Sequence, residues 1–552
     1  MTSQNIRFFL FAALVLCGML LYNAWKQDHS SKSIQALTET GTTLSKKGAE
    51  DKDIPQILKE KTSIEETVVP DLSRQVQIKT DVYNLTIDKL GGDITHLILS
   101  KYAEDQNAFG QGFVLFDNTS KRYYIAQSGL TGEQGPDKRG VGRAIYKSDH
   151  PSYQLENNKD ELSVDLKITS GDVDIIKRFS FQRGSYVIGV EYLIYNRAKN
   201  DYSGSFYARL KRKPEPESGV GFLGIQTFTG AALHTPETPY KKISFSDIMD
   251  KPLEQSIQGG WAALVEHYFV SAWIPAKDVT SIYQTNKLDN DIYSIGLVES
   301  AVVVAPGEEK SIKTQLYAGP EITEILEKLA PGLELSVDYG ILWPICQPIF
   351  WLLKMAFQFT GNWGLAIIVT TILIKLLFYK LSASSYRSMG NMRKLQPKLE
   401  ALKERYGDDK QKFSQATMEL YKKEKINPLG GCLPVLIQIP VFIALYYVLL
   451  GSVELREAPF YLWITDLSAK DPYYVLPILM GASMLVQQKL NPAPPDPMQA
   501  KVMMLMPIIF TVLFLNFPSG LVLYWFLNNV LSIAQQWYIT RNIENKSHHG
   551  AK

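Results

Sequence analysis

The sequence predicts a polytopic α-helical membrane protein with six transmembrane helices and one large all-β domain on a single side of the bilayer. Three observations predict this class. The 552 residues are too many for one compact core. Mean hydropathy is near neutral at −0.08, yet apolar residues gather into long runs near the start and in the last third. The polar middle instead alternates apolar and polar residues with the period of a β-strand.

Composition and motifs argue against several classes of function. A formal net charge of +2 does not indicate a nucleic-acid-binding protein. Cys17, Cys346 and Cys432 lie in apolar stretches, and their odd number argues against a disulfide framework. The sequence has no Walker loop, His-Glu-x-x-His motif or nucleophile elbow. We therefore expect neither an enzyme nor a metal or other cofactor.

Hydropathy and composition divide the chain into segments. In chain order these are a signal-anchor helix at 1–25, a flexible linker at 26–69, a β-sandwich domain at 70–325, an interfacial amphipathic helix at 335–360, a second span at 363–381, a helical hairpin at 382–428, further spans at 433–450, 473–490, 502–517 and 521–538, and a tail at 539–552.

The first apolar run, residues 8–25, has the length of a minimal membrane span. A cleaved secretory signal peptide is the alternative, but the run is long for one, and Tyr22 lies in a region where small residues precede a cleavage site. We favour an uncleaved anchor. The linker after it is rich in Ser, Thr, Lys and Glu, which is typical of a flexible tether.

The polar middle of the chain predicts a large β-sandwich. Apolar residues alternate with polar ones from Leu162 to Ile168, so one face of this strand is buried. Residues 187–195 and 301–304 predict further strands, and Gly91-Gly92 predicts a tight turn between two more. Many strands with few helical stretches indicate a sandwich.

Charge in the short loops predicts the orientation. Residues 380–428 hold 12 Lys and Arg against six Asp and Glu, whereas residues 451–471 are net acidic. Because basic loops stay in the cytoplasm, both termini are then cytoplasmic and the β domain is external. This topology indicates the inner membrane of a Gram-negative bacterium, with the β domain in the periplasm.

Residues 335–360 are poorly suited to spanning a bilayer. Prolines and a lysine interrupt their aromatic residues. An amphipathic helix lying in the membrane interface fits this pattern better, with Trp343 and Trp351 as anchors at headgroup depth.

Lys375 is the sharpest functional candidate. It lies about 12 residues, or roughly 18 Å, into the span that begins at Trp363, within the cytoplasmic half of the bilayer. An isolated ammonium there costs about 2.5 to 3.5 kcal/mol on insertion. Lys375 therefore faces either a polar groove or, by snorkelling, the cytoplasmic headgroups, and the residue alone does not decide between them.

Other polar residues at membrane depth favour the groove. Thr371 lies one helical turn before Lys375, and Gln438 adds an amide in the third span. The last span carries a polar face, namely Tyr524, Asn528, Ser532 and Gln535. Each alone could simply hold helices together by hydrogen bonds. Together with a cation that has no intramembrane carboxylate to neutralise it, they predict a hydrated groove.

The segment 382–428 predicts a cytoplasmic helical hairpin. Apolar residues recur with helical spacing from Met392 to Tyr406, stop at Gly407-Asp408-Asp409, and resume from Phe413 to Leu420. Its basic excess could receive a ribosome, a targeting factor or anionic lipid headgroups. A merely solvated charged surface is the alternative.

Long motifs occur in the membrane segments and in the β domain. They are Asn427-Pro428-Leu429-Gly430-Gly431-Cys432-Leu433-Pro434, followed by Gln438, Pro440 and Ala444-Leu445-Tyr446-Tyr447; Asp471-Pro472-Tyr473-Tyr474 with Leu476-Pro477; Phe517-Pro518-Ser519-Gly520-Leu521-Val522-Leu523-Tyr524-Trp525; Gly259-Gly260-Trp261; and Ala272-Trp273-Ile274-Pro275. These motifs resemble those of the YidC membrane protein insertases, and the likeness extends over most of the chain.

The resemblance implies a five-helix insertase core after a periplasmic β-supersandwich, with a positively charged groove open to cytoplasm and lipid. The family's groove cation is usually Arg, so Lys375 would keep the charge but lose bidentate recognition. Thr371 and Trp525 match positions that contact clients, although the second is commonly Tyr. The implied partners are nascent membrane proteins, the Sec translocon, ribosome and signal recognition particle machinery, and membrane lipids, with no nucleic acid bound directly.

We therefore expect a membrane protein insertase and chaperone, acting alone or with the Sec translocon, whose groove admits the hydrophilic flank of a client. The expected groove residues are Lys375, Thr371, Gln438, Tyr524, Trp525 and Asn528. A small-molecule transporter using Lys375 is the main alternative, and it predicts inverted repeats or broken helices. A membrane-anchored carbohydrate enzyme or sugar-binding protein is a second, and the enzyme would require paired carboxylates in one cleft.

Overall fold

The structure, a computed structural model, describes eight stretches of the chain. These are residues 72–103, 112–119, 122–138, 142–215, 228–406, 409–424, 433–491 and 497–549. The predicted signal anchor at 1–25 and linker at 26–69 lie outside the described residues, together with Cys17, Cys432 and the Gly407-Asp408 part of the predicted hairpin.

The β domain consists of two sheets. The larger contains, in spatial order, β14 (Glu254–Gln258), β17 (Thr280–Lys287), β18 (Tyr293–Glu299), β11 (Tyr202–Arg212), β5 (Tyr123–Thr131), β4 (Phe113–Asn118), β3 (Asp93–Leu99), β2 (Tyr83–Asp88), β1 (Gln75–Lys79) and β7 (Ser152–Gln154), with β19 (Val302–Val304) also paired to β11. The smaller contains β13 (Lys241–Ile243), β12 (Gly230–Leu233), β15 (Ala262–Glu266), β16 (Phe269–Pro275), β20 (Glu309–Pro320), β10 (Val187–Asn196), β9 (Val173–Gln182), β8 (Glu161–Ser170) and β6 (Lys147–Ser148). Strands β1 and β7 pair in parallel, whereas β10 pairs antiparallel with both of its neighbours.

Alternating apolar residues bury one face of strands such as β8 and β9 in a shared core. In β8, Val164 and Leu166 are fully buried while Lys167 is exposed, and β9 buries every second residue from its start. The two sheets also bond across this core, because the Tyr83 hydroxyl of β2 donates to the Ala318 carbonyl of β20 at 2.7 Å. The prediction of a large all-β domain is confirmed.

The Gly91-Gly92 turn joins β2 to β3 as predicted, with φ of +72° and +67°. Beneath it, the fully buried Lys177 side chain donates to the carbonyls of Gly91 at 3.1 Å and Gly92 at 2.8 Å. A third bond reaches the Ser128 carbonyl at 3.1 Å. The three acceptors match the three donors of an ammonium, which compensates for burying this lysine in the sandwich.

The described helices are short in the β domain and long after it. They are α1 (Phe245–Asp250), α2 (Thr323–Leu329), α3 (Trp343–Thr360), α4 (Trp363–Leu377), α5 (Tyr379–Lys394), α6 (Gln396–Tyr406), α7 (Lys410–Lys423), α8 (Leu433–Gly451), α9 (Val475–Leu490), α10 (Pro497–Phe514) and α11 (Ser519–His549). Each segment predicted as helical from residue 335 onward contains helix, and α11 continues through most of the predicted tail at 539–552.

Within the described residues, no helix taken singly combines the length and apolar composition of a bilayer span. Helices α4 and α5 meet that test together, but a 67° bend separates them. The stretches Gln438–Gly451, Val475–Leu490 and Ala500–Phe514 are apolar and shorter.

The segment predicted as one span at 363–381 is divided between two helices. Helix α4 ends at Leu377 because the backbone of Phe378 leaves the helical conformation, with φ −89° and ψ 9°. Helix α5 then starts at Tyr379 in a new direction. The first arm of the predicted hairpin is also divided, between α5, which ends at Lys394, and α6, which begins at Gln396 with Pro397 in its first turn, where a proline is tolerated.

A loop after α8 contacts the sandwich. Residues 452–471, here called the clamp segment, follow α8. Arg456 donates to the Ala103 carbonyl at 2.5 Å, and Glu457 accepts from the Ala103 N–H at 2.8 Å. The Arg456 guanidinium also faces three aromatic rings of the sandwich, at 5.3 to 5.5 Å from the ring centroids. These rings belong to Phe113, Tyr268 and Phe269.

The clamp segment also contacts the starts of three helices. Before α4, the Asn362 side chain donates to two clamp-segment carbonyls at 3.1 and 3.4 Å. At the start of α11, the Ser519 N–H donates to the Ala469 carbonyl at 2.6 Å. The Asp471 carboxylate accepts from the Leu476 N–H of α9 at 2.7 Å. The same loop therefore ties three helix ends to one another and to the sandwich.

We predict that Arg456→Ala loosens the contact between sandwich and bundle. The change removes a charge-assisted hydrogen bond and three cation–π contacts, worth together about 2 kcal/mol or more. Hydrogen–deuterium exchange of the amides in β4 and β16 should therefore become at least about tenfold faster. Arg197→Ala is the matched control, because the Arg197 side chain is 75% exposed and pairs with Asp174 on the sandwich surface. Unchanged exchange in Arg456→Ala would contradict the prediction.

Glu321 is a buried acid immediately after β20. Glu321 is 3% exposed to solvent. Burial raises the pKa of Glu321 to about 8, and Asp338, Glu266 and Glu454 add to the effect, while a hydrogen bond from Ser336 opposes it. The folded state therefore holds this proton more tightly than the unfolded chain, whose glutamate has a pKa near 4.5.

We predict that Glu321→Gln stabilises the sandwich at neutral and alkaline pH. Because the folded pKa is raised, wild-type stability is lost as pH rises from about 4.5 to about 8, by at most about 1.4 kcal/mol per pH unit. Thermal unfolding followed at about pH 5 and about pH 8 should show the variant gaining over wild type mainly at the higher pH. An equal gain at both pH values, or the same pH dependence in the exposed control Glu309→Gln, would argue against this assignment.

Candidate functional site

Lys375 lies in the last turn of α4 and points toward α11. The residue is 8% exposed, and its Nζ donates to the Ser532 hydroxyl at 2.7 Å. Ser532 in turn donates to the Asn528 carbonyl at 2.6 Å. The bonded partner of the ammonium is thus a neutral hydroxyl on a neighbouring helix rather than a carboxylate.

Helix periodicity places this lysine on the packed face of α4. Ile367, Thr371 and Lys375 are spaced four residues apart and are all buried. Leu376 and Leu377 lie on the other side and are 63% and 78% exposed. An apolar outer face and a polar inner position therefore coexist on one turn of α4.

Thr371 and Gln438 flank this position differently. Thr371 is 1% exposed, and its hydroxyl donates to the Ile367 carbonyl of its own helix at 2.6 Å. Gln438 is half-buried in α8, and its side-chain oxygen accepts from the Asn528 amide at 3.4 Å. Asn528 therefore connects α8 to α11, the helix whose Ser532 accepts from Lys375.

Tyr524 and Trp525 belong to an apolar cluster. Tyr524 is 3% exposed within the core of the bundle. The Trp525 ring packs edge-on against Phe442 at 4.6 Å and stacks with Phe510 at 6.2 Å. Its described ring contacts are with α8 and α10, so the structure groups Lys375, Asn528 and Gln438 but leaves Trp525 among aromatic rings.

A second set of polar contacts, absent from the sequence analysis, joins α11 to α9. The Asn529 amide donates to the Ser483 hydroxyl at 3.0 Å. The Gln536 amide donates to the Leu490 carbonyl at 3.2 Å and to the Asn491 side chain at 3.0 Å. The seven-residue spacing of Asn529 and Gln536 puts them on one helical face, which is the signal that could have revealed this set.

Two further predictions concern the surface and metal binding. Trp343 and Trp351 lie eight residues apart on α3 and are 56% and 62% exposed, while Cys346 between them is fully buried. The Cys346 thiol donates to the Ala444 carbonyl at 3.5 Å.

In the part of the chain that the structure describes, no cluster of His, Cys, Asp or Glu is arranged to hold a metal ion.

Two family models match the chain. Residues 75–352 match the YidC periplasmic domain, and residues 355–546 match the 60Kd inner membrane protein. The membrane protein insertase YidC of Azotobacter vinelandii is 52% identical over 556 residues, and that of Pseudomonas putida strain W619 is 52% identical over 550 residues. Each alignment covers 98% of this chain and 98% of the relative. The chain belongs to the YidC family.

This membership confirms the resemblance read from the sequence motifs. The periplasmic-domain match ends at residue 352, beyond the predicted sandwich boundary at 325, so it includes α2 and the first half of α3. A solved structure described as an active YidC insertase with its first transmembrane domain resolved aligns at 20% identity and a TM-score of 0.42, covering 85% of this chain and 93% of that one.

Proposed function

We propose that the chain is a membrane protein insertase of the bacterial inner membrane, with nascent membrane proteins as its clients and no enzymatic chemistry of its own. The observation that carries this proposal is the 52% identity to YidC insertases over 98% of both chains. The same full-length identity supports the insertase rather than the small-molecule transporter.

The client-binding residues proposed are Lys375, Thr371, Gln438, Tyr524, Trp525 and Asn528. The hydrogen-bonded set around Lys375 and Asn528 is largely buried, and it supplies polar groups for which the hydrophilic flank of an entering client would exchange its water. Such exchange lowers the desolvation cost that otherwise opposes entry of polar groups into the bilayer. The apolar segment of the client can then pass into lipid, driven by burial of its own surface.

Lysine at position 375 sets the kind of client recognition we propose. An ammonium is a compact point charge on a flexible stem, and it attracts carboxylates without the planar fork of an arginine. Short acidic flanks are therefore the proposed preference.

We propose six spans with both termini cytoplasmic and the sandwich periplasmic. The 12 basic residues against six acidic ones in 380–428, opposite a net acidic clamp segment, support this orientation. Helix α3 is proposed to lie in the interface, since Trp343 and Trp351 are exposed on it while its other side packs into the bundle.

The Sec translocon and membrane lipids are proposed partners of the chain.

The hairpin of α6 and α7 is the proposed docking site for the ribosome and the signal recognition particle machinery. Leu395, Leu399 and Tyr421 form its small core. Lys398 and Glu424 pair across it at 2.6 Å. This core supports a stable platform from which exposed basic residues can bind an anionic surface.

We predict that Lys375→Ala lowers the insertion rate of a client with a short acidic tail about tenfold, the loss expected when roughly 1.5 kcal/mol of charge-assisted hydrogen bonding is removed. Lys375→Arg should retain most of the rate. Insertion would be measured by protease protection in a strain depleted of the native insertase. Lys489→Ala, an exposed lysine near the end of α9, is the control. Normal insertion by Lys375→Glu would make the groove cation irrelevant.

We also predict that Lys403→Glu with Arg405→Glu weakens ribosome binding, since both side chains are exposed on α6 and the introduced carboxylates would be repelled by the anionic ribosome surface. Cosedimentation of the purified chain with ribosomes should fall at least about fivefold at low salt. The charge-preserving pair Lys403→Arg with Arg405→Lys should cosediment like wild type. Equal binding by both pairs would remove the hairpin from the proposed ribosome contact.

A further inference from the structure

Ser532 lies at the centre of the polar set. The Lys375 ammonium donates to its hydroxyl oxygen at 2.7 Å, and the Tyr386 side chain of α5 lies within reach of the same residue. Ser532 donates its own proton to the Asn528 carbonyl at 2.6 Å. A hydroxyl has one proton and two lone pairs, so Ser532 can contact both side chains while its own proton stays on the Asn528 carbonyl.

The bend at Phe378 brings Lys375 and Tyr386 to the same residue, Ser532. Lys375 precedes the 67° bend and Tyr386 follows it, yet both helices pack against α11. Tyr386 is 4% exposed and Ser532 is 2% exposed, so water has little access to this junction. If one straight helix ran from Lys375 to Tyr386, the two residues would lie about 16 Å apart along its axis.

We infer that Ser532 and Tyr386 are positioning residues for Lys375. They hold the ammonium at the boundary between α4 and α11, so that its remaining donors are available to a client carboxylate. This inference rests on the proposed function of Lys375. Positioning matters here because a lysine stem is flexible and, unlike an arginine fork, does not orient its own charge.

The test compares two clients that differ only in the charge of a short tail, one with Asp residues and one with Asn in their place. In the full-length chain, Ser532→Ala should slow insertion of the acidic client about fivefold, because one hydrogen bond to a charged group is lost. The neutral client should change by less than about twofold. Ser532→Thr, which keeps the hydroxyl, should restore the rate, and Tyr386→Phe should cause a smaller, equally charge-selective loss.

A double substitution separates positioning from general packing. Lys375→Ala with Ser532→Ala should insert the acidic client at the rate of Lys375→Ala alone, since Ser532 acts through the lysine. Additive losses, or equal slowing of both clients by Ser532→Ala, would overturn the inference and assign Ser532 a structural role. If Lys375→Ala is charge-selective and Ser532→Ala is not, only the positioning inference is wrong. If Lys375→Ala itself shows no charge selectivity, the proposed groove function is wrong as well.

Discussion

A cationic side chain inside an apolar helix bundle needs acceptors, and this requirement organises the region around Lys375. An ammonium without acceptors at that depth would cost several kcal/mol. It must therefore be hydrogen-bonded, lose its proton or reach the membrane interface. The structure bonds it to Ser532 on α11. That choice obliges α11 to carry polar residues on the side facing α4, α5 and α8, and Asn528 extends them to Gln438.

Helix α11 separates two uses of polar residues that sequence alone leaves mixed. Asn528 and Ser532 face the lysine, whereas Asn529 and Gln536 bond α9. The bonds to α9 involve neutral groups that satisfy each other, which is what helix association in an apolar environment requires. The bonds on the other side involve a charge with spare donors. One face of α11 therefore bonds a neighbouring helix, and the adjacent face carries the candidate site. The two roles belong to different residues of the same helix.

Much of this arrangement could be predicted because it follows from periodicity. Alternation gives the strands, and four-residue spacing puts Thr371 and Lys375 on one face and Asn528 and Ser532 on another. The bend at Phe378 could not be predicted, because the apolar run continues across it and the residue is neither Pro nor Gly. The aromatic surroundings of Trp525 could not be predicted either. A single helical position lies about 100° around the axis from the next, so Trp525 turns into the aromatic rings of α8 and α10.

The clamp segment shows why a loop can matter as much as a helix in this fold. Loop backbone groups that leave solvent must find partners, and here the partners are the starts of α4, α9 and α11 and the edge of the sandwich at Ala103. Arg456 adds a charge that aromatic faces of the sandwich accept. Since α4 and α11 also meet at Lys375, the contact that orients the sandwich and the contact that holds the ammonium act on the same two helices. The clamp segment and the polar set are therefore linked through the same two helices, α4 and α11, whose starts bond the clamp segment.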